Sequence, residues 1–124
     1  MTHRIYSMSF ASVFQALVTK AERKGRTKEE VADLTAWLTG YDPSAILALL
    51  ADDEGLTYGD FFLKAPRLAA DRIHITGKIC GVQIETLDAP LMQDIRRLDK
   101  LIDRLAKGKP VSDIIAKYST ANLD

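Results

Sequence analysis

The sequence predicts an all-α protein, a compact orthogonal bundle of about six helices. Three observations support this prediction: apolar residues recur at spacings of three and four, helix-start signals come before these stretches, and glycine or proline comes after them. A chain of 124 residues with 47% hydrophobic and 27% charged residues is long enough to bury a core without metals or disulfides. We expect a single helical domain over residues 1–118 and a frayed tail over residues 119–124.

Two helices are predicted in the first third of the chain. Ser9 precedes the first helix and Gly25 ends it. The second begins with a capping box, because the Thr27 hydroxyl and the Glu30 carboxylate can each accept from a free backbone N–H group, and Gly40 ends it. Their apolar stripes are Phe10, Val13, Phe14, Leu17, Val18 and Ala21, and then Val31, Leu34, Trp37, Leu38 and Tyr41.

Two shorter helices follow. Asp42 and Pro43 start the third, since aspartate accepts from helix N–H groups and proline fits the first turn. Acidic residues 52–54 end it, because carboxylates are unfavourable at the negative end of a helix. Thr57 starts the fourth helix and Pro66 bounds it. The residues of the third helix predicted to face inward are Ile46, Leu47, Leu49 and Leu50, and the fourth helix carries Phe61, Phe62 and Ala65.

Residues 73–87 fit two structures. Their apolar residues alternate as in a β-hairpin, whose turn would be residues 76–78. Ile75, Ile79 and Val82 also share one helical face. Because an isolated two-stranded hairpin is only marginally stable, we favour a short helix followed by an extended turn.

The longest helix is predicted to start at Asp88 and Pro90 and to end at Gly108, and Pro110 then begins a short last helix. The apolar residues of the longest helix alternate spacings of four and three, which is typical of a seam that packs against another helix. The seam consists of Leu91, Ile95, Leu98, Ile102 and Leu105. Two heptads are too short for an independent coiled coil, so the seam must pack within the domain or against a second copy.

The apolar residues of this C-terminal region exceed what one buried face needs. An exposed apolar surplus usually marks an interface, and a twofold dimer is the commonest way to cover it. We therefore expect a homodimer whose contact residues are Met92, Leu101, Ile114 and Tyr118. The core residues predicted to be largely buried are Phe10, Phe14, Leu17, Val31, Leu34, Trp37, Leu38, Leu98 and Ile102.

The composition limits which classes of partner and which cellular compartment we expect. The 17 basic and 17 acidic side chains cancel, which gives no general attraction to nucleic acid or to anionic membranes. No stretch is long and apolar enough for a signal peptide or a membrane span, so we expect no membrane segment. Cys80 is the single cysteine, which excludes an intrachain disulfide and favours the cytoplasm.

Cys80 and His74 are the weak catalytic candidates, because a nucleophilic thiolate needs a nearby base. The apolar neighbours of Cys80 instead favour a small buried residue. His3 and His74 match no zinc-ligand spacing, and acidic residues 52–54 lack the alternating ligands of a calcium loop. We predict no catalytic residue, no metal and no cofactor.

One stretch is markedly basic, and short helices joined by glycine turns would also suit a helix-turn-helix. The basic residues are Lys20, Arg23, Lys24, Arg26 and Lys28. Because acidic residues interrupt them and the net charge is zero, we favour a solvated helix junction over a nucleic-acid surface.

Several stretches together resemble a bacterial family known as domain of unknown function 2200. They include the runs from Ile5 to Val13, Lys24 to Val31, Trp37 to Tyr41, Ile75 to Val82, Pro90 to Arg96 and Leu98 to Asp103. The resemblance covers the chain from about Arg4 to Ile115, with Arg104 standing where an acidic residue is expected. It implies a bacterial cytoplasmic protein of mainly helical fold and no particular reaction or ligand.

The predicted function is that of a non-enzymatic protein-interaction module that self-associates, with an unspecified protein as a further partner. A small nucleic-acid-binding helical protein is the alternative. A thiol-dependent enzyme using Cys80 is the third hypothesis.

Overall fold

The computed structural model describes residues 4–52 and 55–119. Within these ranges the chain forms seven α-helices, two 3-10 helices and one two-stranded antiparallel sheet, which confirms the predicted mainly helical class. The α-helices are α1 (Arg4–Ser7), α2 (Phe10–Glu22), α3 (Lys28–Thr39), α4 (Pro43–Ala51), α5 (Tyr58–Leu63), α6 (Pro90–Ala106) and α7 (Val111–Tyr118). The 3-10 helices are Ala70–His74 and Ile84–Thr86, and the strands are β1 (Lys78–Ile79) and β2 (Val82–Gln83).

The caps predicted at Ser9, Thr27, Asp42 and Thr57 form, whereas α6 begins at Pro90 without a side-chain cap, so Asp88 does not cap it. At the start of α3, the Thr27 hydroxyl accepts from the Glu30 N–H, and the Glu30 carboxylate accepts from the Thr27 N–H at 3.0 Å. Gly40 ends α3 with φ of 84°. A Cβ atom at this position would lie 2.7 Å from the backbone nitrogen of Arg67, so both the backbone angle and the close approach require glycine.

Two helix starts are tied together by a short backbone pairing. Ser9, which caps α2, and Thr57, which caps α5, form an antiparallel bridge. The Phe10 N–H donates to the Leu56 carbonyl at 2.9 Å, and the Tyr58 N–H donates to the Met8 carbonyl at 2.8 Å. The first turns of α2 and α5 therefore lie side by side.

Helix α6 is the centre of the core, where it packs against α2, α3, α5 and α7. Of its seam, Ile95, Leu98, Ile102 and Leu105 are buried and Leu91 is partly buried, so the seam packs within the domain. Eight of the nine predicted core residues are buried. Trp37 is the exception: its indole is only partly buried at the edge of the core.

Helix α4 is less buried than the sequence predicted. Leu47, Leu49 and Leu50 were expected inside with Ile46, but all three are only partly buried and Ile46 alone is buried. The helix packs mainly on α2 and α3. No other element in the described part of the chain packs against α4 as extensively as these two helices do. The periodicity of so apolar a helix cannot indicate which side faces inward, because every side is apolar.

Neither prediction for residues 73–87 is fully correct. The favoured short helix does not lie where it was predicted, and the hairpin alternative has the wrong turn residues. The 3-10 helix ends at His74, and Lys78 pairs with Gln83 while Ile79 pairs with Val82. The turn is therefore Cys80–Gly81 rather than residues 76–78. Cys80 has φ of 52° and Gly81 has φ of 76°, the left-handed pair that a two-residue type I′ hairpin turn requires.

The hairpin is stable because α6 supports it. Ile79 and Ile84 are buried in the core, and Lys100 of α6 donates from Nζ to the Lys78 carbonyl at 2.9 Å. These tertiary contacts replace the third strand that an isolated hairpin would need. The expectations for His3, for residues 53–54 of the acidic loop and for residues 120–124 of the tail lie outside the described residues.

Candidate functional site

The two weak catalytic candidates are not joined. His74 Nδ1 lies 3.1 Å from the Tyr118 carbonyl oxygen and 3.8 Å from the Asp71 carboxylate. Cys80 is at the tip of the hairpin, and among the described residues no hydrogen bond connects it to His74. The expectation of a buried thiol is wrong, because the turn carries Cys80 out of the core and exposes it.

The basic stretch is divided between structural and solvated roles. Lys20 pairs with Asp103 at 3.5 Å, and Arg26 donates from Nε to the Leu105 carbonyl at 3.2 Å, so both anchor the N-terminal helices to α6. Arg23, Lys24 and Lys28 are exposed. The structure therefore leaves three of the five cations facing solvent, without an ordered cluster around a cavity.

The residues predicted to form a dimer contact are inside the core. Met92, Leu101, Ile114 and Tyr118 are exposed by 4% or less of their surface. They are buried because α6 is surrounded by the N-terminal helices on one side and by α7 and the hairpin on the other. These four residues cannot form an exposed apolar face, and the prediction of that particular interface is wrong.

A different apolar surface remains, which we call the α4 face and define as Leu47, Leu50 and Ala51 together with the exposed Ala45 and Ala48. Leu47, Leu50 and Ala51 line a groove of about 360 Å³ together with Val18 of α2. The groove is also lined by Gln15, Glu22 and Lys28. It is a shallow apolar groove between two helices with charges of both signs at its rim.

A second concave region, which we call the basic cleft, lies between the ends of α6 and α7. One cavity of about 220 Å³ and another of about 210 Å³ share Arg104 and Lys117 as lining residues. The first cavity is also lined by Lys109, Asp113 and Ile114, and the second by His74, Thr76 and Tyr118. Positive side chains thus dominate this cleft in a protein of zero net charge.

Tyr118 fixes the central cation of the basic cleft. Arg104 Nε donates to the Tyr118 hydroxyl at 2.7 Å, and the guanidinium carbon lies 5.7 Å from the ring centre. Lys117 Nζ lies 5.9 Å from the same ring centre. Both cations are within the range of favourable cation–π contact, so one aromatic ring holds two positive charges near each other.

A buried polar group lies in helix α5. The Tyr58 hydroxyl is buried and has no hydrogen-bond partner among the described residues. Burial raises the pKa of Tyr58 well above 10, and the nearby Asp99 carboxylate adds to this effect. Phe10 and Phe62 pack against the Tyr58 ring, so the group lies within the core rather than in a cleft.

Neither a metal cluster nor a membrane span is evident in the described ranges. Residues 4–52 and 55–119 contain no group of three or more His, Cys, Asp and Glu side chains that could hold a metal ion. In the same ranges, every helix is too short or too polar to cross a bilayer.

These features define a small, mainly helical domain with an apolar helix face and a basic cleft. The model for a family described as uncharacterized proteins conserved in bacteria, DUF2200, matches residues 4–116, and the chain belongs to this family. The resemblance seen in the sequence is thereby confirmed. No curated protein matches the chain.

The fold is shared with a protein of known crystal structure. The chain is similar to the uncharacterized protein SP1917, with 56% sequence identity over 95% of each chain and a TM-score of 0.90. Both the family description and this structure leave the biochemical activity open.

Sequence reasoning missed both surfaces. A signal for the α4 face was present, because the segment from Pro43 to Ala51 has no charged residue. The basic cleft had a weaker signal in Lys109, which lies between the last two helices, and in Lys117, which lies in the last turn of α7. The position of Arg104 in the basic cleft could not be predicted in the same way, because helix periodicity alone does not show which residue of another helix Arg104 contacts.

Proposed function

We propose that the chain is a non-enzymatic protein-interaction module of the bacterial cytoplasm that pairs with a second copy of itself through the α4 face. One observation carries this proposal: α4 has no charged side chain, yet Ile46 alone among its nine residues is buried. A helix that is apolar all round is normally covered on all sides. The outer side of α4, with Ala45, Ala48 and Ala51 exposed, therefore offers a surface for association.

A second copy suits this surface better than a charged partner. The helix has no charge with which to attract an acidic or basic ligand, and small alanine side chains allow two helices to approach closely. Glu22 and Lys28 lie at the rim of the groove. In a twofold dimer, Glu22 of one copy can face Lys28 of the other, so the same rim supplies both charges. The single unpaired cysteine supports a reducing compartment.

The experiment is sedimentation velocity of the full chain from low to high micromolar concentration, with Ala48→Glu as the test variant. Ala48 is exposed on α4, so a glutamate there should leave the fold intact and place a charge in the interface. Ala116→Glu is the matched control, because Ala116 is exposed in helix α7. We expect dimers for the unmodified chain and for Ala116→Glu, and monomers for Ala48→Glu.

Two results would contradict the proposal. A monomeric unmodified chain at high micromolar concentration would remove self-association altogether. Dimers that survive Ala48→Glu would remove the α4 face as the contact. Circular dichroism of each variant establishes that a change of mass does not come from unfolding.

A further inference from the structure

We propose that the basic cleft binds the phosphate group of a small phosphorylated molecule. This ligand site is independent of the α4 face. The proposal begins with the shape of the cleft, since two neighbouring cavities of about 220 and 210 Å³ share Arg104 and Lys117. Each cavity is smaller than the roughly 300–1,000 Å³ of a typical small-molecule site, which suits a group of the size of phosphate.

The charge of the cleft matches a dianion. Arg104, Lys109 and Lys117 contribute three positive charges, and Asp113 contributes one negative charge. The net charge of the basic cleft is therefore two positive charges when His74 is not counted. A phosphate monoester carries close to two negative charges at neutral pH, whereas a carboxylate carries one. The charge balance therefore favours phosphate.

These cations differ from the other cations of α6. Arg96 and Arg97 are ion-paired with Asp99 and Asp94, and Lys100 donates to a backbone carbonyl. No ion pair joins Arg104 to any residue within 4–52 or 55–119, and the same is true of Lys109 and Lys117. The cleft thus contains positive charge that the described chain does not neutralise.

The Arg104 side chain is positioned in advance. Its Nε donates to the Tyr118 hydroxyl at 2.7 Å, which orients the plane of the guanidinium group, and its two terminal nitrogens donate to no described residue. A guanidinium with two parallel N–H donors is well matched to two phosphate oxygens. Thr76, which lines the second cavity, provides a hydroxyl donor.

Helix ends explain how Arg104 and Lys117 can converge without an ion pair to a described carboxylate. Arg104 is in the last turn of α6, and Lys117 is in the last turn of α7. The negative end of each helix dipole stabilises a nearby positive charge. Two helix C-termini therefore permit Arg104 and Lys117 to share the Tyr118 ring, and a bound dianion would relieve the repulsion that remains between them.

The experiment is an NMR titration of the isotope-labelled full chain with inorganic phosphate and, separately, with glycerol 3-phosphate at pH 7. Sodium chloride at equal ionic strength is the control titration. We expect saturable shifts of the backbone amides around Arg104 and Lys117 with the phosphates alone. Tighter binding of glycerol 3-phosphate would identify a phosphate ester as the ligand, and equal binding would identify free phosphate.

Variants test which side chains bind. Arg104→Gln and Lys117→Gln should each weaken phosphate binding about tenfold, because each removes a charge-assisted contact. Arg23→Gln removes the same charge from an exposed position far along the sequence and should change the affinity less than about twofold. Lys117 donates no hydrogen bond to a described residue, so Lys117→Gln remains informative even if Arg104→Gln loosens the fold.

Equal, unsaturated shifts with phosphate and with chloride would overturn the proposal. Equal weakening by Arg23→Gln and Lys117→Gln would also overturn it, because the effect would then come from total charge rather than from the cleft.

Discussion

Arg72 and Asp94 are joined by a 2.9 Å hydrogen bond between Nε and Oδ1 that connects the first 3-10 helix to α6. The same carboxylate oxygen accepts from Arg97 at 2.7 Å. Asp94 is only 5% exposed, so its charge depends on these two guanidinium groups rather than on water. One buried carboxylate therefore fixes the irregular segment before the hairpin against the central helix.

Asp94→Ala should lower the free energy of unfolding by about 3 kcal/mol, because it leaves two partly buried arginines without their acceptor. Urea unfolding measures this change. Asp33→Ala is the matched control: Asp33 is exposed within α3, and its loss should cost less than about 0.5 kcal/mol. Equal effects of the two substitutions would show that the buried carboxylate has no special role.

The positive φ of Cys80 predicts that this position prefers another residue. A left-handed backbone costs about 1–2 kcal/mol for most L-residues, and asparagine tolerates it better. Cys80→Asn should therefore stabilise the chain by about 0.5–1 kcal/mol, whereas Cys80→Val should destabilise it by about 1 kcal/mol. Thermal melts of the two variants decide the matter, and a valine variant as stable as the asparagine variant would contradict the turn assignment.

Burial predicts different costs for two aromatic truncations. Phe10→Ala should cost about 4 kcal/mol, because Phe10 is buried and stacks on Phe14 and Phe61. Trp37→Ala should cost about half as much, since part of the indole already contacts water. Urea denaturation gives both values. A larger loss for Trp37→Ala would mean that the indole is more deeply buried than the structure indicates.

From the pKa of the Asp99 carboxyl we predict that the stability of the chain depends on pH. Burial raises the pKa of Asp99 above 3.8, although its hydrogen bond from Arg96 and the Arg96 and Lys20 charges oppose the increase. Between the unfolded and the higher folded pKa the folded chain binds more protons, so the contribution of Asp99 to stability falls as the pH rises through this window. Asp99→Asn removes that contribution.

The measurement is the free energy of unfolding of both chains from pH 4 to pH 7. Relative to the unmodified chain, Asp99→Asn should gain stability as the pH rises. Asp33→Asn serves as the exposed control and should show no such gain. Parallel pH curves for Asp99→Asn and the unmodified chain would contradict the predicted direction.

The regular helices could be predicted because their signals are local. Capping groups such as Thr27 and Glu30 lie within one turn of each other, and the α6 seam repeats over five residues of one face. The hairpin could not be predicted in the same way. Its turn uses cysteine where asparagine is the usual signal, and its stability depends on α6, which is distant in sequence.

The candidate surfaces were harder to predict because they depend on how helices surround one another. Met92 and Leu101 lie beside the seam of α6 and would be exposed on an isolated helix, but the structure buries them. Conversely, Leu47 and Leu50 belong to a helix without charged residues, yet they remain partly exposed. Hydrophobicity gives the amount of apolar surface, whereas the topology decides which part stays uncovered.

The bridge between Ser9 and Thr57 has a consequence for hydrogen exchange. The first N–H groups of a helix usually lack a partner and exchange rapidly with solvent deuterium. Here the amides of Phe10 and Tyr58 donate across the bridge, so each is protected only while the other helix start is in place. The two amides should therefore lose protection in one shared opening event, which makes the starts of α2 and α5 a single cooperative unit.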